Sequence, residues 1–188
     1  MNKIEEKIRN CNLCDPYVEK FQMTNSIYYG INNDIVILGE APANNGWRKS
    51  GVPFYDINGK ILPSGKVLTK LLDIIGLKLE DITFLEAIKC YPLDRKYLKF
   101  CSKNCINYLF SQLEYLNPKV VLILGEVPTR MIIDMKGKKF KDVVGKEFLI
   151  NNIKFIPIYH PSPISPLSYN GNYEIFESLK ENNLVLKK

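Results

Sequence analysis

Lys119-Val-Val-Leu-Ile-Leu-Gly125 sets five aliphatic residues in a row before a glycine stop. A strand so composed is apolar on both faces, the condition of a strand in a parallel sheet covered by helices on each side. Working outward, Asp34-Ile-Val-Ile-Leu-Gly39 repeats the pattern and its stop, Ile82-Thr-Phe-Leu-Glu-Ala-Ile88 is a further candidate, and Ile153-Lys-Phe-Ile-Pro-Ile158 is the fourth. Pro157 has no N–H for the ladder and suggests a terminus or an edge. Around these strands the spacing predicts a short charged helix over residues 2–10. It predicts a second helix capped by Ser64 and running to Ile75, with Val67, Leu68, Leu71, Leu72 and Ile75 on one face. Further helices are expected from Ser102 or a neighbour to about Leu116, over residues 129–135, and over residues 173–183. Residues 15–33, rich in Tyr, Asn and Gly, read as irregular. Strands that alternate with helices give an α/β fold with a parallel sheet. Ligands of such sheets sit outside the carboxyl ends of the strands.

The chain has 188 residues, 46% of them hydrophobic, and a single domain spanning 1–188 is expected. A formal charge of +6 suits a polyanionic partner but also many ordinary proteins. The segment Met1-Asn-Lys-Ile-Glu-Glu-Lys7 lacks the apolar core of a secretion signal, and no apolar run reaches the ~18 residues of a membrane span. A cytoplasmic protein without membrane association is therefore expected, where thiols stay reduced. Five cysteines in that setting point to metal binding or catalysis before disulfides.

Cys11-x-x-Cys14 is a thiolate pair at ligand spacing, and Cys90 with either Cys101 or Cys105 completes a set of four soft donors that suits zinc or an iron–sulfur cluster. Spacing does not choose between Cys101 and Cys105. The loop Gly39-Glu-Ala-Pro-Ala-Asn-Asn-Gly-Trp-Arg-Lys-Ser-Gly-Val-Pro-Phe54 leaves a buried strand and can present amides and an aromatic face to a flat ligand. Within it Arg48 and Lys49 read as solvated loop charges, with phosphate contact as the alternative. His160, the sole histidine, follows the fourth strand in Tyr159-His-Pro-Ser-Pro163 and can act as a donor near neutral pH.

Taken in order, Gly39-Glu-Ala-Pro42, Gly51-x-Pro-Phe54, Lys89-Cys90-x-Pro92, Cys105-x-x-Tyr-Leu109 and His160-Pro-Ser162 resemble the iron–sulfur uracil-DNA glycosylases of family 4 over nearly the whole chain. The resemblance implies a three-layer α/β/α sandwich with a central, mainly parallel four-stranded sheet. It implies a 4Fe-4S cluster on Cys11, Cys14, Cys90 and Cys105, with Cys101 spare and zinc the alternative. The implied partner is DNA containing a damaged base, bound by a monomer and flipped into a pocket. Phe54 would stack on the base, and Glu40, Ala41, Pro42 and Ala43 would line the pocket. His160 would stabilise charge as the N-glycosidic bond breaks, and Ser162 would contact phosphate.

Two departures stand against the pattern. Where the family carries asparagine four residues before the strand-two cysteine, this chain has Glu86, which as an ionised group only accepts hydrogen bonds. Glu86 is therefore protonated by burial, selects a base other than uracil, or points elsewhere and pairs with a lysine. Around Ala43, Gly46 and Trp47 the first loop is closer to family 5 and lacks the usual acidic pair, leaving Glu40 or Glu86 to orient the attacking water. The expected function is base-excision repair by a monofunctional DNA glycosylase acting on uracil or another deaminated base. The alternatives are a catalytically altered or inactive iron–sulfur relative that binds nucleic acid, and a zinc-stabilised enzyme with a small-molecule substrate.

Overall fold

The alternation of aliphatic side chains in the central strands divides the interior into two cores. The computed structural model describes residues 2–20 and 25–182. In chain order it contains α1 (Asn2–Arg9), β1 (Val18–Glu19), β2 (Ile27–Tyr28), β3 (Asn32–Gly39), α2 (Trp47–Ser50), α3 (Pro63–Ile74), β4 (Ile82–Glu86) and β5 (Tyr91–Pro92). It continues with α4 (Leu98–Leu116), β6 (Val120–Leu124), α5 (Glu126–Ile132), β7 (Phe148–Ile150), β8 (Ile153–Ile158) and α6 (Asn170–Glu181). Ile35 and Ile37 of β3, with Val120, Leu122 and Leu124 of β6, pack on Leu68, Leu71 and Leu72 of α3 and on Phe176 and Leu179 of α6. Their neighbours Val36, Leu38, Val121 and Ile123 face the opposite way, onto Leu109, Leu113 and Leu116 of α4. Helices thus cover both faces of one sheet, the three layers expected.

The sheet runs β2-β4-β3-β6-β8-β7, with β4, β3, β6 and β8 mutually parallel. It has six strands rather than four. The expected four are its parallel centre, and the short strands β2 and β7 add antiparallel edges. Pro157 accordingly lies in an interior strand. Its carbonyl accepts from Gly145 N at 2.9 Å on the side where β7 has already ended, so the missing N–H interrupts no ladder bond there. Chain order takes β3 to β4 on one side and then to β6 on the other, which makes the β3/β6 boundary a switch point.

Helix boundaries moved for local reasons. Pro63, not Ser64, opens α3 as its first residue, where a missing N–H costs nothing. Helix α4 begins four residues before Ser102, because Asp94 accepts from Lys96 N at 2.9 Å and starts a tight turn, Arg95–Tyr97, that feeds into it. Helix α5 starts earlier than residue 129, directly after Gly125. The final helix starts at Asn170, and Asn183, its expected end, lies outside the described residues.

Candidate active site

A cleft of about 740 Å³ opens at the carboxyl ends of the parallel strands. Glu40, Ala41, Pro42, Ala43, Phe54, Glu86 and His160 all line it, so the structure brings together seven residues that the sequence scatters over 121 positions (40 to 160). Ser162 is not in the lining. It lies half-buried in the turn beyond, donating its N–H to the His160 carbonyl at 2.7 Å. The fourth wall, Gly125 to Val127 after β6, was not among the candidates. The signal for it was a glycine stop on the clearest strand, the same signal that marked Gly39.

Phe54 has φ +64°, a left-handed conformation that a bulky side chain adopts only when its surroundings impose it. Two contacts do so. The Phe54 carbonyl accepts from Leu62 N at 2.8 Å, and a β-carbon on Gly65 of α3 would meet the Phe54 Cβ at 2.8 Å, so only glycine there admits the turn. The ring stands 5.6 Å from that of Phe84, steeply inclined, with its own position on the cleft wall.

Glu86 ends β4 with its carboxyl against Gly39, where a β-carbon would lie 2.3 Å from Oε2. Oε2 is sealed from solvent and has no hydrogen-bond partner. Burial pushes the Glu86 pKa up to about 8, Lys89 opposing and Glu40 reinforcing the shift. Lys89 is itself only 2% exposed, and its ammonium donates to the main-chain carbonyl of Glu86. Burial lowers the Lys89 pKa to about 8. Glu40 is held at the rim by Arg95, 3.2 Å away. His160 keeps one side open to solvent, yet the protein around the ring removes enough water to hold its pKa below the ordinary value. The imidazole is therefore neutral at physiological pH, one nitrogen a donor and the other an acceptor.

Cys11, Cys14, Cys90 and Cys105 line a second, small cavity with Ile8, Asp15, Val18, Lys89 and Tyr108. Cys101 does not. It is fully buried among Cys14, Ile88, Leu98 and Cys105, where burial pushes its pKa up to about 12. Asn104 Nδ2 lies 3.5 Å from Cys14 Sγ, and the Lys89 main-chain N–H bonds the Cys105 sulfur. Among the described residues no group of three or more His, Cys, Asp or Glu side chains closes to single-ion coordination geometry. The donor set itself, four thiols with N–H donors beside two of them, fits a thiolate-ligated group.

Arg48 is neither solvated nor free for phosphate. It is buried, pairs with Glu19 of β1, donates to Asn44 Oδ1 at 3.0 Å and lies 4.4 Å over the ring of Tyr91. Lys49 is exposed as expected. The sequence reading also passed over Ile164, which stands 92% exposed in Pro163-Ile-Ser-Pro166, just past His160. An aliphatic residue between prolines in an otherwise polar turn was the available signal.

Comparison with known proteins follows the same residues. The family model for the uracil DNA glycosylase superfamily matches residues 27–180, from β2 into α6. The chain is 31% identical to the type-4 uracil-DNA glycosylase of Archaeoglobus fulgidus, over 87% of this chain and 82% of that protein. It is 29% identical to the type-4 enzyme of Thermotoga maritima, over 86% and 81%. A type-5 uracil-DNA glycosylase of Pyrobaculum aerophilum is 26% identical over 72% of this chain and 64% of its own length. With the whole parallel sheet and every wall of the cleft inside the matched region, the chain belongs to the uracil-DNA glycosylase superfamily.

Proposed function

We infer that the protein is a monofunctional DNA glycosylase of base-excision repair, hydrolysing the N-glycosidic bond of uracil flipped out of DNA and leaving an abasic site. The observation that carries this reading is the convergence of Phe54, Glu86 and His160 on one cleft at the carboxyl ends of the parallel strands. A base must leave the stack before its glycosidic bond can be reached, and a flat apolar wall is the natural place to receive it. Phe54 stacks on the base and the backbone of residues 40–43 borders it. Glu86 faces its hydrogen-bonding edge. His160, a neutral donor, stabilises the negative charge that develops on the departing base. Glu40, steadied by Arg95, orients the attacking water. Ser162 contacts phosphate beside the cleft, and the exposed Ile164 fills the gap left in the stack.

Cys11, Cys14, Cys90 and Cys105 would hold a 4Fe-4S cluster, an assignment supported by the four cysteines that share the lining of one small cavity and by the N–H groups beside Cys14 and Cys105. Such a cluster would supply a rigid link between the N-terminal segment and the turn after β4. The protein would act as a single-domain cytoplasmic monomer. Among the described residues no helix is long and apolar enough to cross a membrane.

The test is incubation of the purified protein with oligonucleotides carrying one uracil, hypoxanthine or xanthine, followed by alkaline scission of abasic sites. Scission at uracil is expected. Retained DNA binding without scission at any base would replace the enzyme with a binding relative. A brown preparation containing iron and labile sulfide in equal amounts is expected for the cofactor, and a colourless zinc-containing one would overturn it.

A further inference from the structure

Resting on the assignment of the cleft to uracil, we propose that Glu86 reads the base as a neutral carboxyl group. As the carboxyl turns from Gly39 toward the cleft, its O–H donates to a carbonyl oxygen of the base and its other oxygen accepts the adjacent ring N–H. N3–H and O4 of uracil present this pair. An ionised carboxylate can only accept, so it would meet the N–H well and the carbonyl oxygen badly.

The surroundings of Glu86 favour the neutral form on geometric grounds. Its Oε2 is sealed against Gly39 with no hydrogen-bond partner, so charge on that oxygen would have no hydrogen bond to offset its burial. Each ionisable group bordering the carboxyl is otherwise engaged or of the wrong sign. The Lys89 ammonium, within the turn after β4, is bonded to the Glu86 main-chain carbonyl rather than aimed at the carboxyl. Glu40, from the loop after β3, repels a carboxylate, and its partner Arg95 is committed to it. Asp94 and Glu126 on the cleft walls add negative charge, and His160 is held neutral. The raised pKa of Glu86 agrees, desolvation being its main cause.

The sign of the pH dependence follows. A carboxyl raised to about 8 is neutral below that value, and its donor is lost as pH rises through it. His160, lowered below its usual value, has its midpoint on the acid side of that range. Lys89, which titrates at about 8 as well, can still donate to the Glu86 main-chain carbonyl as a neutral amine, so a fall that Glu86→Gln abolishes belongs to the carboxyl. Single-turnover uracil release from a single-stranded oligonucleotide should therefore fall about fourfold between pH of about 6.5 and about 8.5, below the pH at which uracil itself ionises. Glu86→Gln keeps a donor and an acceptor but cannot ionise, so its rate ratio between the two pH values should lie near one. Equal falls in both proteins, no fall in the wild type, or faster release of cytosine than of uracil would overturn the proposal. A wild type releasing uracil with any of those outcomes leaves the glycosylase assignment standing. A wild type releasing none at either pH removes that assignment instead. Should the Gln variant fail to fold, free uracil binding to the wild type, read by fluorescence of the sole tryptophan Trp47 on the cleft wall, keeps the test. Affinity about fourfold weaker at the higher pH supports the neutral carboxyl, and equal affinity overturns it.

Discussion

Gly39 and Glu86 form a pair at the floor of the cleft in which the smaller residue exists to admit the larger. A β-carbon at position 39 would meet Oε2 at 2.3 Å, but the group it displaces is the far end of a flexible side chain rather than backbone. Gly39→Ala should therefore cost activity more than stability. Single-turnover uracil release should drop tenfold or more in the Gly39→Ala protein. In a Glu86→Ala background the same glycine substitution should add little, because the clash is gone, and this non-additivity is the signature of contact. Additive losses would show that Gly39 serves the backbone instead. His160 acts on the other side of the base. Removing a preorganised donor from a site of developing charge costs about 10²–10³ in rate, and His160→Ala should lose release on that scale while the dissociation constant for uracil-containing DNA moves far less. A binding loss equal to the rate loss would make His160 a docking residue.

Between the cysteine cavity and the base cleft, the elements are tied by α2. Arg48 on that short helix reaches Glu19 of β1, which pairs with β5, and covers Tyr91 of β5 with its guanidinium plane. Replacing Arg48 by Ala should lower stability by about 1–3 kcal/mol, from lost packing and from polar groups left unpaired, and the melting temperature should report it. Arg48→Lys should recover little, since an ammonium cannot donate in two directions and also stack flat. Full recovery would reduce the contact to simple charge pairing. Arg48 also marks the limit of what the sequence discloses. The four parallel strands were readable because burial on both faces leaves an unbroken aliphatic run, and the motifs after them located seven cleft residues. The fate of a single arginine depends on which distant segment folds over it, and no local pattern encodes that. The edge strands escaped for a different reason, being two or three residues long and too short for periodicity. A signal for β7 did exist in Asn151-Asn152, both with positive φ, the residues of a tight hairpin turn into β8. Spacing alone left Cys101 and Cys105 open and the resemblance chose Cys105; in the structure Cys105 lines the cavity, whereas Cys101, one turn earlier on α4, does not.

Across the whole molecule, a formal charge of +6 says little until its distribution is known. Residues 136–146 carry five lysines, Lys136, Lys138, Lys139, Lys141 and Lys146, and the structure packs this segment against the end of β8 and the residue after it. Phe140 packs edge-on against Tyr159 at 5.8 Å, and Gly145 donates to Pro157, both partners lying within three residues of His160. Lys136 is near Asp134 at 4.0 Å, whereas Lys138, Lys139 and Lys141 form no ion pair among the described residues and are exposed. DNA entering the cleft would pass close to these three charges, and each phosphate neutralised releases counterions, steepening the fall of affinity with salt. Replacing Lys138, Lys139 and Lys141 together by Gln should lower the slope of log K against log salt by as much as ~2.7 on duplex DNA and ~2 on single strands. The measurement is a salt titration of binding to a uracil-containing oligonucleotide by anisotropy, using the His160→Ala background so that substrate survives. An unaltered slope would place the DNA elsewhere, toward Lys96, Lys99 and Lys103 at the start of α4, and would make the lysine segment a solvated face. A reduced slope with an unchanged preference for uracil over thymine would separate the two tasks: backbone attraction along the rim beyond β8, and base selection at Glu86 on the floor.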